Sequence, residues 1–477
     1  MQEKSIAKNT AFMTIASVGQ KVISFVYFTL IARNIGAEGT GKYFFALSFT
    51  TVFVVFIDIG LTQVLIREGA KSKEKLQKYF SSVIFTKIFL GVLTYLAAFA
   101  VINIMGYPVE TRHLVYLSAV TMLFDSIHLT IYGVLRAIGN LKYEAFAIIG
   151  SQLMTLILGT TFLYLKMPLI FLILAFTIPS FFNVVYSSIV LFKKYKIKFK
   201  PKLDKQVLRF MGVIAIPFAL TAIFGRVYSY IDSILLSKLA GDIAVGWYSI
   251  PYKITYAFQF MPLALVAALY PKFSEYFVSD KKKLAFVFER AIKYLMVIVF
   301  PIAIGVGVLA RDIILSLYTV EYVNSILPLQ ILLAGLVFSY LSFPIGAFLN
   351  ACNKQVTQTV IVFFVMVINI ILNIILIPKI GVIGAAISAL VGNICLAVFG
   401  YVIMSSIAKI SHWFLFKSLF QIIIVVGIMG IGVYFINQIA HFTIAILAGA
   451  VVYSVMLFVT RAITAGQVRE AMQLVKK

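Results

Sequence analysis

Residues 21–53 read KVISFVYFTLIARNIGAEGTGKYFFALSFTTVF, and residues 226–258 read RVYSYIDSILLSKLAGDIAVGWYSIPYKITYAF. A shift of 205 residues aligns the two stretches without a gap, and 8 of the 33 positions are identical. Three of the identities share a Gly–Gly–Tyr spacing: Gly36 with Gly241, Gly41 with Gly246, and Tyr43 with Tyr248. Matches of valine or leucine are expected by chance between apolar helices, but this spacing is not. The chain therefore contains an internal duplication.

The composition places both copies in a membrane. Of the 477 residues 62% are hydrophobic and only 12% are charged, with a mean hydropathy of +1.03. A soluble protein carries charge on about a quarter of its residues. Residues 419–440 form an uncharged run, and about twenty apolar residues span a bilayer core as a helix. The sequence predicts an all-α integral membrane protein whose first span is residues 10–32 rather than a cleaved signal peptide.

About fourteen transmembrane helices fit between residues 10 and 460. Six helices per copy return the chain to its starting side, so the two halves have the same orientation, related by a pseudo-twofold axis along the membrane normal. The predicted organisation is an N-lobe of helices 1–6 (1–192), a basic cytoplasmic linker (193–207), a C-lobe of helices 7–12 (208–405), and a C-terminal helix pair with a cytoplasmic tail (406–477).

The basic residues predict the orientation. With the N-terminus in the cytoplasm, 30 of the 41 Lys and Arg residues fall in inner segments and 7 in outer ones. This asymmetry is the positive-inside pattern of multi-pass proteins. It also accounts for the net charge of +24 through anionic lipid headgroups, so nucleic acid is not an expected partner. We expect a protein of the cell membrane with both termini cytoplasmic.

Ionisable residues inside spans are costly and usually face a cavity or one another. The basic ones are Lys21, Lys87, Arg226 and Lys253. Lys21 and Arg226 are equivalent positions of the repeat, and Lys253 lies on the next helix. Three cations around one cavity would bind an anionic phosphate or pyrophosphate headgroup. The alternative is that each side chain extends to the headgroup region, which we expect for Lys87.

The intramembrane acids and one histidine are candidates for ion coupling or charge balance: Asp58, Asp125, His128 and Asp232. Asp125, His128 and Tyr132 are spaced i, i+3, i+7, which places them on one helix face. A structural hydrogen-bond network between helices is the alternative.

Tyr252 and Tyr256 are one turn apart on the eighth helix. Their rings are candidates to stack on substrate sugars. Core packing explains the same pattern equally well.

Catalytic chemistry is not indicated. No Ser/His/Asp set or metal-ligand spacing occurs, and Cys352 and Cys395 are predicted to be packing residues. Residues 36–42, GAEGTGK, fit a phosphate-binding loop up to the lysine, but Tyr43 stands where Ser or Thr is needed. We therefore expect no cofactor and no bound metal, with coupling to Na⁺ or H⁺ as an added hypothesis.

The opening motif resembles that of a known family. ARNIGAEGTGKYFFALSF followed by DIGLTQVLIRE is similar to the start of oligosaccharide and polysaccharide flippases of O-antigen type, in the multidrug/oligosaccharidyl-lipid/polysaccharide (MOP) superfamily. The matching positions are Ala32, Arg33, Gly36, Gly41, Tyr43, Gly60 and Leu61. LKYEAF (141–146) and GVIGAAIS (381–388) resemble the family too.

This resemblance implies a flippase that carries a polyprenyl-pyrophosphate-linked oligosaccharide from the inner to the outer leaflet. Alternating access of the two lobes around a cationic cavity is the expected mechanism. Lipid-linked oligosaccharide and membrane lipids are the implied partners, with other glycan-assembly proteins as further candidates. The alternatives are a multidrug or organic-cation antiporter of the same fold, a lipid II flippase, and, from a different class, a membrane glycan ligase or polymerase.

Overall fold

The computed structural model describes residues 2–460, 462, 463 and 466, and within them the chain is helical without any strand. The α-helices of this part are α1 (Gln2–Asp58), α2 (Leu61–Lys71), α3 (Leu76–Ile104), α4 (Val109–Ile138), α5 (Lys142–Tyr164), α6 (Ile170–Tyr195), α7 (Lys205–Ala240), α8 (Asp242–Phe258), α9 (Phe260–Ser279), α10 (Lys281–Val308), α11 (Ala310–Leu317), α12 (Ile326–Ala351), α13 (Gln355–Ile380), α14 (Val382–Ile407), α15 (His412–Ile439) and α16 (Phe442–Val459). The all-α prediction is confirmed.

Thirteen helical segments of the described chain are long and apolar enough to cross a bilayer. The first of them, Phe12–Asp58, has 47 residues, which as one straight helix would be about 70 Å long, over twice the bilayer core. The rings of Phe28 and Phe44 are nevertheless 6.3 Å apart, whereas a straight helix would separate them by about 24 Å. The chain therefore doubles back inside α1, which holds two spans, and the predicted number of about fourteen crossings is confirmed.

The reversal lies at Gly36, whose φ is 69° and ψ −178°. Gly241, 205 residues later, has φ 85° and ψ 176°. This region of backbone space is open essentially to glycine alone. The duplication is thus visible in the backbone, because both copies turn at the same unusual residue.

The chain forms two compact units that divide after Gly246. The first unit contains α1 to α7, with α7 packed against α1. The repeat assigns α7 to the second half, so the unit boundary and the repeat boundary differ. The division into lobes at 193–207 follows from the duplication and stays a prediction.

The basic linker before α7 is bound to the start of α3. The side chain of Gln77 accepts a hydrogen bond from the Lys198 amide at 2.8 Å and donates one to the Lys198 carbonyl at 2.9 Å. Asp204 caps α7 by accepting from the amides of Gln206 and Val207. The hydrogen bond from Lys78 lowers the pKa of the Asp204 carboxyl, so this cap is charged at neutral pH.

In the second unit α10 packs against α9, α12 and α15, while α12 packs against α14. The C-terminal pair is fixed by α15 on α10 and by Tyr453 of α16, which donates to the Val297 carbonyl at 2.6 Å. The other face of α16 is exposed and apolar, with Leu447, Val451 and Val459 63–68% accessible. Such a face suits contact with lipid rather than water.

Candidate functional site

The two copies of the repeat meet within the first unit through paired glycines. A Cβ atom added at Gly41 would lie 1.8 Å from the carbonyl oxygen of Asp242, and one added at Gly246 would lie 2.0 Å from that of Ala37. Ala37 and Asp242 are also equivalent positions of the repeat, so the contact is made twice in the same way. Only glycine allows backbones to approach so closely. The second span of α1 and the first turn of α8 are therefore closed against each other at this point.

The loop between α3 and α4 covers the end of α7 beside this glycine contact. Tyr107 donates to the Ser237 hydroxyl at 3.2 Å, and the Lys238 ammonium donates to the Met105 carbonyl at 2.6 Å. The Tyr107 ring stacks on Phe45 at 4.6 Å between centroids. Burial raises the pKa of Tyr107 to about 12, so its phenol remains a donor at neutral pH.

Two of the three predicted cations lie at one level of the first unit. Lys21 precedes Ile35, the last residue before the Gly36 turn, by 14 residues, and Arg226 precedes Ala240 by the same number. Each is therefore about 21 Å along its helix from the turn, on the packed pair α1 and α7. Lys21 is half-buried and Arg226 is exposed.

Lys253, the third predicted cation, is half-buried on α8 in the second unit. That it shares one cavity with Lys21 and Arg226 stays a prediction.

Tyrosines form a ladder along α8. The rings of Tyr252 and Tyr256 are stacked 5.9 Å apart with an interplanar angle of 8°, and the Tyr248 ring lies 6.3 Å from that of Tyr252. Exposure increases along the ladder from 1% at Tyr248 to 43% at Tyr256. The ladder ends where α8 gives way to α9, and Tyr340 donates to the Phe258 carbonyl there at 2.7 Å. An aromatic face of this kind can hold a planar or sugar surface.

Asp58 forms an ion pair with the buried Lys87. The Lys87 ammonium lies 2.5 Å from Asp58 Oδ1 and donates to the hydroxyls of Thr62 and Thr130 at 2.8 Å each. The Thr62 hydroxyl in turn hydrogen-bonds Asp58. Lys87 is only 3% exposed, so the expectation that it extends to the headgroups is wrong. The pair ties the end of α1 to α2, α3 and α4, and Asp58 has its charge balanced there.

Asp125 and His128 lie on α4 opposite α6, in a second polar cluster. Asp125 accepts a hydrogen bond from Ser180 at 2.6 Å, and one turn earlier Thr121 and Thr177 are bonded at 2.7 Å. Since α4 and α6 run in parallel register through these contacts, the next turn brings Asn183 level with His128. We define the unsatisfied cluster as Asp125, His128, Tyr132, Ser180 and Asn183.

Three atoms of the unsatisfied cluster are enclosed without a hydrogen-bond partner among the described residues: His128 Nδ1, Tyr132 Oη and Asn183 Oδ1. Asp125 Oδ1 lies 3.7 Å from His128 Nδ1. The Asp125 side chain is 41% exposed although it lies midway along a membrane-spanning helix. A buried polar atom without a partner costs about 1–3 kcal/mol, and a water, a proton or a small cation would remove that cost. Among the described residues no group of three His, Cys, Asp or Glu side chains is placed to hold a metal ion.

Two further acids of α5 and α7, Glu144 and Asp232, are buried. Asp232 on α7 is 5% exposed, and its assigned role stays a prediction. Arg136 donates from Nε to Glu144 at 2.9 Å, across the turn where α4 ends at Gly139 with φ 84°. This pair was not singled out from the sequence. The only sequence feature that indicates this pair is the presence of opposite charges on either side of Gly139.

Two family models match the chain. The model described as polysaccharide biosynthesis protein covers residues 6–277, and the MatE model covers residues 217–375. This chain belongs to the polysaccharide biosynthesis protein family. The similarity to the MOP superfamily inferred from residues 32–61 is confirmed.

Relatives of this family member include two whose names refer to capsular polysaccharide and to O-antigen. It is 24% identical to the capsular polysaccharide biosynthesis protein CapF of Staphylococcus aureus, over 87% of its own length and 100% of that protein. It is also 24% identical to a putative O-antigen transporter of Shigella flexneri, over 80% of its own length and 94% of that protein.

Among solved structures, the family member shares its fold with the lipid II flippase MurJ in an inward closed conformation. The TM-score is 0.76 with 18% identity, over 94% of this chain and 98% of that one. This likeness confirms a two-lobed helical transporter fold.

Proposed function

We propose that this protein is a flippase for a polyprenyl-pyrophosphate-linked oligosaccharide, which it moves from the inner to the outer leaflet by alternating access. Family membership supports a role in polysaccharide assembly, since relatives of this protein carry the names of a capsular polysaccharide protein and an O-antigen transporter. Transport rather than covalent chemistry fits a chain that is almost entirely membrane-spanning helices. We infer that it is not an enzyme.

The observation that carries the proposal is the pair of cations at one depth. Arg226 is exposed in the middle of a span, and a guanidinium facing hydrocarbon would be very costly. Its surroundings are therefore polar, and the equivalent Lys21 lies at the same level of the neighbouring helix. Arg binds phosphate oxygens through a fork of donors. With Lys253 added, the three cations would match a pyrophosphate headgroup.

The glycine contact and the tyrosine ladder have roles in this scheme. Closure at Gly41 and Gly246 would separate the cations from the outer side, and opening there would release the glycan outward. Tyr252 and Tyr256 would stack on sugar rings of the substrate. The outward movement of an anion is favoured by an inside-negative membrane potential, by about 2.3 kcal/mol per charge per 100 mV.

Coupling to Na⁺ or H⁺ is a further part of the proposal. We assign it to Asp125 and His128 rather than to Asp58, because the Asp58 carboxylate is already paired with Lys87 whereas His128 Nδ1 has no hydrogen-bond partner among the residues described. Asp232 remains a candidate for charge balance near the cations.

The proposed location is the cell membrane, with both termini in the cytoplasm. The partners would be the lipid-linked substrate, membrane lipids and other proteins of glycan assembly.

The decisive experiment is transport of a fluorescent polyprenyl-pyrophosphate oligosaccharide in proteoliposomes. We expect flipping above that of empty liposomes, and loss of most of it when Lys21, Arg226 and Lys253 are all changed to Ala. Lys73→Ala with Lys75→Ala removes exposed charge elsewhere and serves as the control. Wild-type rates in the triple variant would remove the cations from the mechanism, and no flipping by the wild-type protein would overturn the proposal.

A second candidate, an organic-cation antiporter, is favoured by the MatE match to residues 217–375. Such a transporter would need an acidic cavity, which conflicts with the cations at residues 21, 226 and 253. Counter-flow of a labelled organic cation in the same proteoliposomes discriminates the two. Lipid II added as a competing substrate tests whether the glycan is a peptidoglycan precursor instead.

A further inference from the structure

The second unit contains a cavity of about 330 Å³ between α9 and α10. Its inner wall is apolar, with Leu265, Leu269 and Ala291, and its rim carries Lys272, Lys283 and Arg290. The single residue between the two helices, Asp280, caps α10 by accepting from the amides of Lys282 and Lys283. The cavity therefore opens near the end of a helical hairpin. One side of the cavity is apolar and the other side is cationic.

Arg290 is held in an arrangement that leaves it ready for an anion. Its guanidinium lies 5.1 Å from the Phe286 ring and 5.2 Å from the Phe414 ring. Its Nη1 is enclosed and has no hydrogen-bond partner in the described part of the chain. The neighbouring acid, Glu289, accepts instead from the Ser411 amide at 2.7 Å. Two rings thus fix the orientation of the guanidinium without using its hydrogen-bond donors.

The rim is poorly neutralised by the protein itself. Lys272 forms no ion pair within the described residues, and the Lys283 ammonium is 3.8 Å from Asp280. Positive charge therefore accumulates around a pocket that has room for about eleven waters.

We propose that this cavity binds the phosphate headgroup of an anionic phospholipid, whose acyl chains lie along Leu265 and Leu269. A soluble phosphate would gain nothing from the apolar wall, and a zwitterionic headgroup would bring its own cation to the lysines. An oligosaccharide is too large for the space, so the transported substrate is not the occupant. Binding would fix the α9–α10 hairpin to one leaflet. The inference does not depend on the proposed substrate of transport.

The test uses the purified full-length protein, delipidated in detergent, and native mass spectrometry with phosphatidylglycerol or phosphatidylcholine of identical chains. We expect retention of phosphatidylglycerol to exceed that of phosphatidylcholine at least tenfold, with the excess abolished by Lys272→Gln plus Arg290→Gln. The control, Lys73→Gln plus Lys75→Gln, removes the same charge from an exposed segment and should leave the excess intact. Melting temperature should rise with phosphatidylglycerol in the wild type and the control, but not in the rim variant.

Four results would overturn the proposal. The first two are equal loss in the rim and control variants, and equal retention of the two phospholipids. The third is stronger displacement by polyprenyl pyrophosphate than by phosphatidylglycerol, which would assign the cavity to the substrate. The fourth is competition by inorganic phosphate at the same concentration as the lipid, which would exclude a role for the apolar wall. If Arg290→Gln fails to fold, Lys272→Gln alone answers the question, since that side chain is on the rim and makes no ion pair among the described residues.

Discussion

Helix α4 carries two polar clusters at almost the same depth, and they differ in how completely their atoms are paired. On the side facing α3, Lys87 has an acid and two hydroxyls as partners. On the side facing α6, His128 and Asn183 have enclosed atoms without hydrogen-bond partners among the described residues. A satisfied buried pair holds helices together, whereas an unsatisfied cluster leaves atoms that a water, a proton or a small cation could complete. By this criterion the first cluster is structural, and the second is the one to which we assign ion coupling in the proposed function.

The largest expected effect is on stability at the satisfied pair. Lys87→Met leaves the Asp58 carboxylate, whose side chain is 34% exposed, without its counter-ion. We expect the free energy of unfolding to fall by about 3 kcal/mol, at the lower end for a broken buried pair, because solvent reaches the carboxylate. Denaturant unfolding in detergent measures it. Adding Asp58→Asn should recover most of the loss, because no uncompensated charge then remains. A single Lys87→Met variant as stable as the wild type would show that the pair is not structural.

A smaller loss should follow from removing one hydroxyl of the same cluster. Thr130→Val keeps the shape of the side chain but removes the hydroxyl that accepts a hydrogen bond from the Lys87 ammonium. Hydrogen bonds to charged groups contribute about 1.5–3 kcal/mol, and we expect a decrease in that range by the same unfolding measurement. Transport should be unaffected when the rate is normalised to folded protein. A specific transport defect would mean that the cluster around Lys87 is not purely structural.

The unsatisfied cluster should respond in the opposite way. Asp125→Asn preserves the size of the side chain and its contact with Ser180, so the unfolding free energy should change by less than about 0.5 kcal/mol. Under the proposed ion coupling, the transport rate driven by a Na⁺ or proton gradient should fall about tenfold, equivalent to about 1.4 kcal/mol. Unchanged coupled transport in a folded Asp125→Asn protein would return this cluster to a purely structural role.

The smallest expected effect is a change in the free energy of unfolding at Asn183, and its sign decides the interpretation. Asn183→Leu replaces a buried acceptor that lacks a partner, so in ion-free buffer the unfolding free energy should be unchanged or rise by up to about 1 kcal/mol. The stabilisation of the wild type by Na⁺, if that is the coupling ion, should disappear in the variant. A clear destabilisation would mean that Asn183 already has a partner, such as an ordered water, that the protein needs in order to fold.

More of the fold than of the candidate site could be predicted from the sequence. Spans follow from local hydrophobicity, and the turn at Gly36 follows from a glycine that repeats at Gly241, so both were accessible without a structure. The pairing of Asp58 with Lys87 was not, because a membrane helix is apolar toward lipid and toward its neighbours alike. Its pattern therefore does not say which way a single lysine points. Lys87 was expected at the headgroups for that reason.

The spacing of Asp125, His128 and Tyr132 did predict a shared helix face, but not what opposes it. Asn183 lies 55 residues after His128, and only the register of α4 with α6 brings the two level. Likewise nothing local in residues 272–290 indicates a cavity, because the pocket depends on how tightly α9 turns into α10. The sequence shows which types of residue these regions contain. It does not show which side chains contact one another, because those contacts depend on the packing of helices that are distant in sequence.

The glycine contact has a consequence for the origin of the molecule. Gly41 meets the carbonyl of Asp242, and Gly246 meets that of Ala37, so each half supplies one glycine and one carbonyl to the other. This reciprocity is the signature of an isologous interface, in which the same patch of two identical subunits pairs with itself. In an ancestral homodimer a single glycine codon would have served both contacts. After fusion into one chain there would be two such codons, and each must encode glycine because a carbonyl of the opposite half lies against it.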